Sequence, residues 1–182
     1  MSQNNYSIKI VEALLKAENH IRGLAKLLNT NQTTIARKVK ELHKENIVDF
    51  KKEGKNKIVF LKKSLEAKQY AYLVEIQKVL EIVERYPHLR RSINLIKKNE
   101  NIMLAIFFGS YAKGSAKKES DVDIYIDTTD KKIKEEVELI DSKISVKIGK
   151  YDKNSLLIKE IEKNHIIIKG IEVYYEKNKF FD

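Results

Sequence analysis

The 182-residue sequence predicts an α+β protein with a mixed α/β second half. Three helices and a β-hairpin come first, then a helical connector, then alternating strands and helices. Three observations carry that expectation. Apolar residues recur at helical spacing through residues 7–45. Two β-rich runs at 47–62 enclose a Gly-containing turn, a hairpin signal. Beyond residue 100, short apolar runs alternate with charged helical segments, the pattern of a small mixed α/β domain.

Composition narrows the function classes. The chain is 42% hydrophobic, enough for a core, and 34% charged. There is no run of 18 apolar residues, so no transmembrane helix and no membrane partner is expected. The start, Met1-Ser2-Gln3-Asn4-Asn5, has no signal-type apolar stretch, and a cytoplasmic protein is expected. Zero cysteines exclude disulfides and thiolate metal sites. The net charge of +10 is uneven: residues 1–64 hold 14 Lys/Arg against 6 Asp/Glu, and residues 65–182 hold 22 against 20. That asymmetry points to a nucleic-acid partner for the N-terminal third.

The elements follow in order. Residues 7–17 form a helix, with Ile8, Val11, Leu14 and Leu15 apolar. A second helix runs from about His20 to Leu28 with Asn19 as N-cap, and Asn29-Thr30-Asn31 breaks it. A third runs from about Gln32 to Glu45, capped by Asn31. Its stripe of Ile35, Val39 and Leu42 faces inward, and Gln32, Thr33, Thr34, Arg37, Lys38 and Glu41 face out. Strands 47–52 and 57–62 then flank the turn 53–56.

This order resembles a winged helix-turn-helix domain over about residues 6–63. The resemblance implies binding of double-stranded DNA, with the third helix in the major groove. Thr33, Thr34, Arg37 and Lys38 would then lie near base edges, while the hairpin lysines Lys51, Lys52, Lys55 and Lys57 would lie against phosphates or the minor groove. A winged helix used for protein contacts is the alternative.

From Leu65 to Arg85 the chain reads as one helix, with Leu73, Ile76, Leu80 and Val83 spaced 3, 4, 3. That seam fits either a homodimer or a helix packed along one domain. Pro87 ends it, and a helix from about His88 to Lys98 follows. The expected division is 1–64, a connector 65–87, and a domain 88–182.

Ile102–Phe108 is a near-continuous apolar strand, as for one buried on both faces. A helix over about 130–142, a strand 143–150 and a helix over about 154–164 follow the strand 121–127. Ile166-Ile167-Ile168, Gly170 and a last strand-like stretch, Ile171–Tyr175, close the chain.

The chemistry lies in Gly109-Ser110 and, after ten residues, Asp121-Val122-Asp123. Side chains alternate along a strand, so the two carboxylates point one way. Paired carboxylates repel and suit a cation between them, and two hard oxygen ligands suit Mg²⁺ completed by substrate phosphates. The Gly-Ser turn can offer amides and a hydroxyl to a phosphate.

Gly109-Ser110, Lys113-Gly114 and Ser120-Asp121-Val122-Asp123 resemble the signature of minimal nucleotidyltransferases of the DNA polymerase β superfamily, over about residues 89–176. The resemblance implies transfer of a nucleotide to a protein or RNA acceptor, AMP if the substrate is ATP, with another NTP as the alternative substrate. Asp121 and Asp123 would bind Mg²⁺ and carry catalysis. Gly109, Ser110, Lys113 and Ser120 would bind the nucleotide. The ten-residue spacing is that of antitoxin-like members, which modify a toxin partner. The family's third carboxylate usually follows within an apolar-Asp-apolar strand, and here that pattern reads Val146-Lys147-Ile148. Two functions therefore stand: an enzyme, or a transcription regulator whose degenerate domain senses a nucleotide or partner. Tyr111 and Tyr125 flank the motif, either as packing or as a base-stacking surface. His20, His43, His88 and His165 show no metal-ligand spacing.

Overall fold

The computed structural model describes residues 6–54 and 56–182. They divide into two compact units, one running to Val74 and including Phe180–Asp182, the other Glu75–Lys179.

The first unit holds α1 (Tyr6–Lys16), β1 (Asn19–His20), α2 (Ile21–Leu27), α3 (Gln32–Lys44), β2 (Val48–Glu53) and β3 (Asn56–Leu61). It also holds the start of α4 (Leu65–Arg85). Its sheet runs β1-β3-β2, antiparallel throughout. This is the winged helix-turn-helix order.

Three polar residues make the turn between α2 and α3. Asn29 takes the left-handed conformation (φ 47°), and Thr30 N–H reaches back to Ala25 O at 3.0 Å, closing α2 as a Schellman cap. Asn31 opens α3 by accepting from Thr34 N–H at 2.7 Å. Asn46 (φ 61°) closes α3 in the same way, with Ile47 N–H bonded to Leu42 O at 2.9 Å. Ile35, Val39 and Leu42 are buried against Val11, Leu24 and Val59. The expected cap at Asn19 is not what forms. Asn19 and His20 pair with Val59 and Ile58 as a short strand, and the cap passes to His20, whose Nδ1 accepts from Gly23 N–H at 2.9 Å.

The second unit adds α5 (Leu89–Lys98), β4 (Ala105–Phe107), α6 (Gly109–Ala112), β5 (Val122–Asp127), α7 (Lys131–Glu138), β6 (Ile144–Gly149), α8 (Leu156–Lys163), β7 (Ile166–Lys169) and α9 (Ile171–Asn178). The sheet order is β6-β5-β4-β7, with β5–β6 parallel and the other pairs antiparallel. Ala105, Ile106 and Phe107 of the central strand are fully buried, as their unbroken apolar run requires. Val122, Ile124, Ile126, Ile144 and Val146 share a core with Ile93 and Ile96 of α5 and Ile133 and Val137 of α7.

The expected strand at Ile171–Tyr175 is instead the first part of α9. Ile, Val and Tyr favour strands, but β-propensity yields to context. The context is Gly170, at φ +80°, whose missing Cβ would lie 2.1 Å from Met103 O. The chain turns there, and Tyr174 N–H bonds back to Gly170 O at 2.9 Å. On α4, Ala67 and Val74 enter the first core and Ile82 the second. Leu73, Ile76 and Leu80 are 44%, 48% and 48% exposed. Among the described residues, no helix is long and apolar enough to cross a membrane.

Candidate functional site

Strand β4 ends at Phe107, and Phe108 N–H bonds to Asp123 O at 3.1 Å. That bond clamps the start of β5 against the turn. Gly109 follows at φ +67°, and a Cβ there would lie 2.3 Å from Asp123 Oδ2. The Asp123 carboxylate therefore rests on the face of Gly109, which explains why this position lacks a side chain. Asp121, just before β5, is exposed, and Asp123 on β5 is half-buried. Burial, then repulsion from Asp121, holds the Asp123 carboxyl above its ordinary value, while Lys147 pulls it down.

The neighbouring strand offers no third carboxylate. In the β5–β6 register Ser145 lies beside Asp123, and Lys147 beside Tyr125. Asp127 also lies on β5, but it is engaged elsewhere. Its Oδ1 accepts from Tyr151 N–H at 2.9 Å, and its Oδ2 pairs with Lys177 at 2.8 Å. Among the described residues, no three His, Cys, Asp or Glu side chains gather to hold a metal. A pair of carboxylates one residue apart still fits Mg²⁺, which needs one or two from protein when substrate phosphates supply the rest.

The other motif residues have partners of their own. Ser110 is half-buried on α6, and its carbonyl accepts from Ser115 N–H at 3.0 Å. Lys113 Nζ lies 3.2 Å from Glu160 Oε1 of α8, with both side chains about half exposed. Ser120 Oγ accepts from Lys117 N–H at 2.9 Å, shaping the turn that delivers Asp121. Tyr111 is buried, its ring 4.8 Å from that of Tyr86 and its hydroxyl 3.3 Å from His88 Nε2. Burial, then Tyr86, Asp141 and Asp121, raises its pKa. Tyr125 is 1% exposed and donates to Gly149 O at 2.7 Å. Both tyrosines are packing residues, not exposed stacking surfaces. Glu160, Tyr86 and Asp127 were not singled out from the sequence, and His88 only as a scattered histidine, because only the fold brings them to the motif.

On the first unit, α3 turns Thr33 and Arg37 to solvent, with the Arg37 side chain 67% exposed. Lys38 is held at 2.7 Å by Glu41, which lowers the Glu41 carboxyl through that hydrogen bond. Thr34 is half-buried. On the hairpin, Lys52 and Lys57 stand directly opposite one another, and Lys57 Nζ sits 3.6 Å from the centre of the Phe50 ring. Opposed like charges are unfavourable until an anion joins them. Lys51, expected at the phosphates, is instead paired with Glu18 and Glu53. Lys55 lies outside the described residues. Phe50, Lys52, Asn56 and Lys57 line an open depression of about 530 Å³.

The family described as polymerase beta, nucleotidyltransferase matches residues 91–179, so the second unit carries a nucleotidyltransferase-type domain. Among solved structures, the chain is similar to Mb0332 from Mycobacterium bovis (fragment 1–100), a homodimeric winged helix-turn-helix DNA-binding domain and possible ArsR-family transcriptional regulator. The identity is 18%, coverage is 44% of this chain and 71% of that one, and the TM-score is 0.36. No curated protein matches the chain.

Proposed function

We propose that the chain is a DNA-binding protein whose second part transfers a nucleotide, AMP from ATP or the matching nucleoside monophosphate from another NTP, to a protein or RNA acceptor, in the manner of an antitoxin acting on its toxin. Residues 1–64 bind double-stranded DNA, 65–87 connect, and 88–182 carry the transfer. The carrying observation is the seat of Asp123 on Gly109, which joins the carboxylates to the phosphate-binding turn. Backbone amides beside Gly109, with the Ser110 hydroxyl, hold the phosphates. Lys113 leaves Glu160 for a phosphate oxygen, a swap between two half-exposed partners that costs little. Asp121 and Asp123 hold Mg²⁺, which supplies charge neutralisation and alignment of the triphosphate. The acceptor hydroxyl attacks the α-phosphorus. A new O–P bond forms, the α–β bridging bond breaks, pyrophosphate leaves, and the hydroxyl proton passes to water. Positioning and electrostatics supply most of such catalysis.

A second reading is favoured by one observation. Ser145 and Lys147 stand on β6 where a carboxylate would complete the set. On that reading the site senses a nucleotide, Lys147 meets its phosphate, and the protein is a transcription regulator. Incubation with ATP, Mg²⁺ and candidate acceptors separates the two. Label transfer lost in Asp121→Ala/Asp123→Ala supports the enzyme. No transfer, with nucleotide-dependent DNA binding retained, supports the sensor. A homodimer joined along α4 would suit a two-fold DNA site, and the exposure of Leu73, Ile76 and Leu80 supports it.

A further inference from the structure

We infer that the outer face of α5 is a binding surface for the phosphodiester backbone of a nucleic-acid acceptor strand. For the fate of that strand this rests on the nucleotidyl-transfer reading, but the binding itself does not. The second unit, Glu75–Lys179, holds 21 Lys/Arg against 18 Asp/Glu. Four of those cations, Arg90, Arg91, Lys97 and Lys98, lie on α5, which has no acid. Without α5 the unit is net negative by one, so its whole basic excess sits on this helix. No Asp or Glu occurs from Arg85 to Asn99.

Positions 90, 91, 94, 97 and 98 fall on one side of a helix, within an arc of about 120° at 3.6 residues per turn. All five are exposed. The opposite side, Leu89, Ile93 and Ile96, is buried in the core. Among the described residues, none of the four cations enters a salt bridge, whereas Lys113, Lys134, Lys163 and Lys177 do. Unpaired charges of one sign held on a rigid element form a standing field for a polyanion.

The helix is fixed at both ends. Lys169 Nζ donates to Lys97 O and Asn99 O at 3.0 and 2.6 Å, tying its C-terminus to β7. At the other end, His88 touches the Tyr111 hydroxyl and Arg85 donates to Gly114 O at 3.4 Å. Tyr111 and Gly114 belong to the turn that follows Ser110. A strand laid along α5 therefore ends beside the Gly-Ser turn. From Arg90 to Lys98 is about 12 Å, the axial span of roughly three to four phosphates of one strand. A membrane surface is the wrong partner. Interfacial helices insert an apolar face, and on α5 Leu89, Ile93 and Ile96 are buried, leaving Leu95 alone exposed.

The test uses the full chain with four substitutions, Arg90→Gln, Arg91→Gln, Lys97→Gln and Lys98→Gln. Glutamine is a good helix former at exposed positions, so the fold is kept. Fluorescence anisotropy is read over a salt series with a 20-nucleotide single-stranded RNA, the same sequence as DNA, and duplex DNA. The expected result is at least a tenfold loss of single-strand affinity at low salt. The salt slope should fall by about 3, four contacts at about 0.7 each. Loss on RNA alone assigns a ribose-reading site, and equal loss on single-stranded DNA assigns the backbone; either supports the surface. Asn94→Arg should strengthen binding and steepen the slope. Binding is read without ATP or Mg²⁺, so a failed transfer assay and a failed binding assay are separate results. Unchanged affinity and slope on both single strands would overturn the inference and leave the charge to an acidic protein.

Discussion

At the scale of single residues, the site depends on a side chain that is absent. Gly109→Ala would combine a left-handed backbone, costing about 1–2 kcal/mol, with a methyl 2.3 Å from Asp123 Oδ2. The carboxylate is the movable partner, so the damage goes to position more than to folding. Nucleotide transfer should fall roughly hundredfold, as for a displacement near 1 Å, while the melting temperature falls only modestly. A variant that keeps full transfer would detach Gly109 from the carboxylate. His165 gives a second test at this scale. Burial holds its imidazole down to about 4, with Lys78 adding to the effect. The unfolded imidazole titrates near 6.5. Between those values the unfolded chain binds a proton that the folded chain refuses, so stability falls as pH falls through that window. The loss is about 1.4 kcal/mol per pH unit and about 3 kcal/mol in all. Glu75, 1% exposed and raised by burial, works in the opposite sense and blunts the slope. Denaturant unfolding of His165→Gln at pH 7, 5.5 and 4.5 should show a flatter decline than the parent. An identical slope would mean that His165 is not the group responsible.

At the scale of elements, α3 carries the DNA-reading proposal. Arg37 is exposed and makes only a 4.0 Å contact with Glu41, so Arg37→Ala should change stability by less than about 0.5 kcal/mol. Duplex affinity should weaken by about 1–3 kcal/mol at fixed salt if it reads a base. Unchanged affinity would exclude α3 as the reader. The elements also show what was legible in the sequence. Ile35, Val39 and Leu42 announced the buried face of α3, and Asn31 its cap, because both signals are local. The apolar run around Ile106 announced a central strand. The helix α9 was not legible, because Gly170 is forced by the Met103 backbone, far away in sequence. Asn19 was misread as a cap because its pairing with Val59 is long-range. The motif was legible as a spacing, but the positions of Ser145 and Lys147 beside Asp123 and Tyr125 needed the strand register.

At the scale of the whole molecule, the positive charge is concentrated in two places. The basic excess of the first third supports DNA contact, and that of the second unit is gathered on α5. The helix α4 contributes Ala67 and Val74 to one core and Ile82 to the other, leaving Leu73, Ile76 and Leu80 exposed. Sedimentation equilibrium should find a dimer, and Ile76→Glu/Leu80→Glu should return it to a monomer with both folds intact. A monomeric parent would assign the stripe no role in self-association. Asp121 and Asp123, the latter seated on Gly109, are proposed to support nucleotide transfer without a third carboxylate. Parallel reactions with α-labelled and γ-labelled ATP, in Mg²⁺ and with the toxin-type protein or RNA acceptor, test it most directly. The expected result is acceptor label from the α-phosphate only, with release of pyrophosphate, and none in Asp121→Ala/Asp123→Ala. Label from the γ-phosphate, or α-label that persists in the double variant, would contradict it.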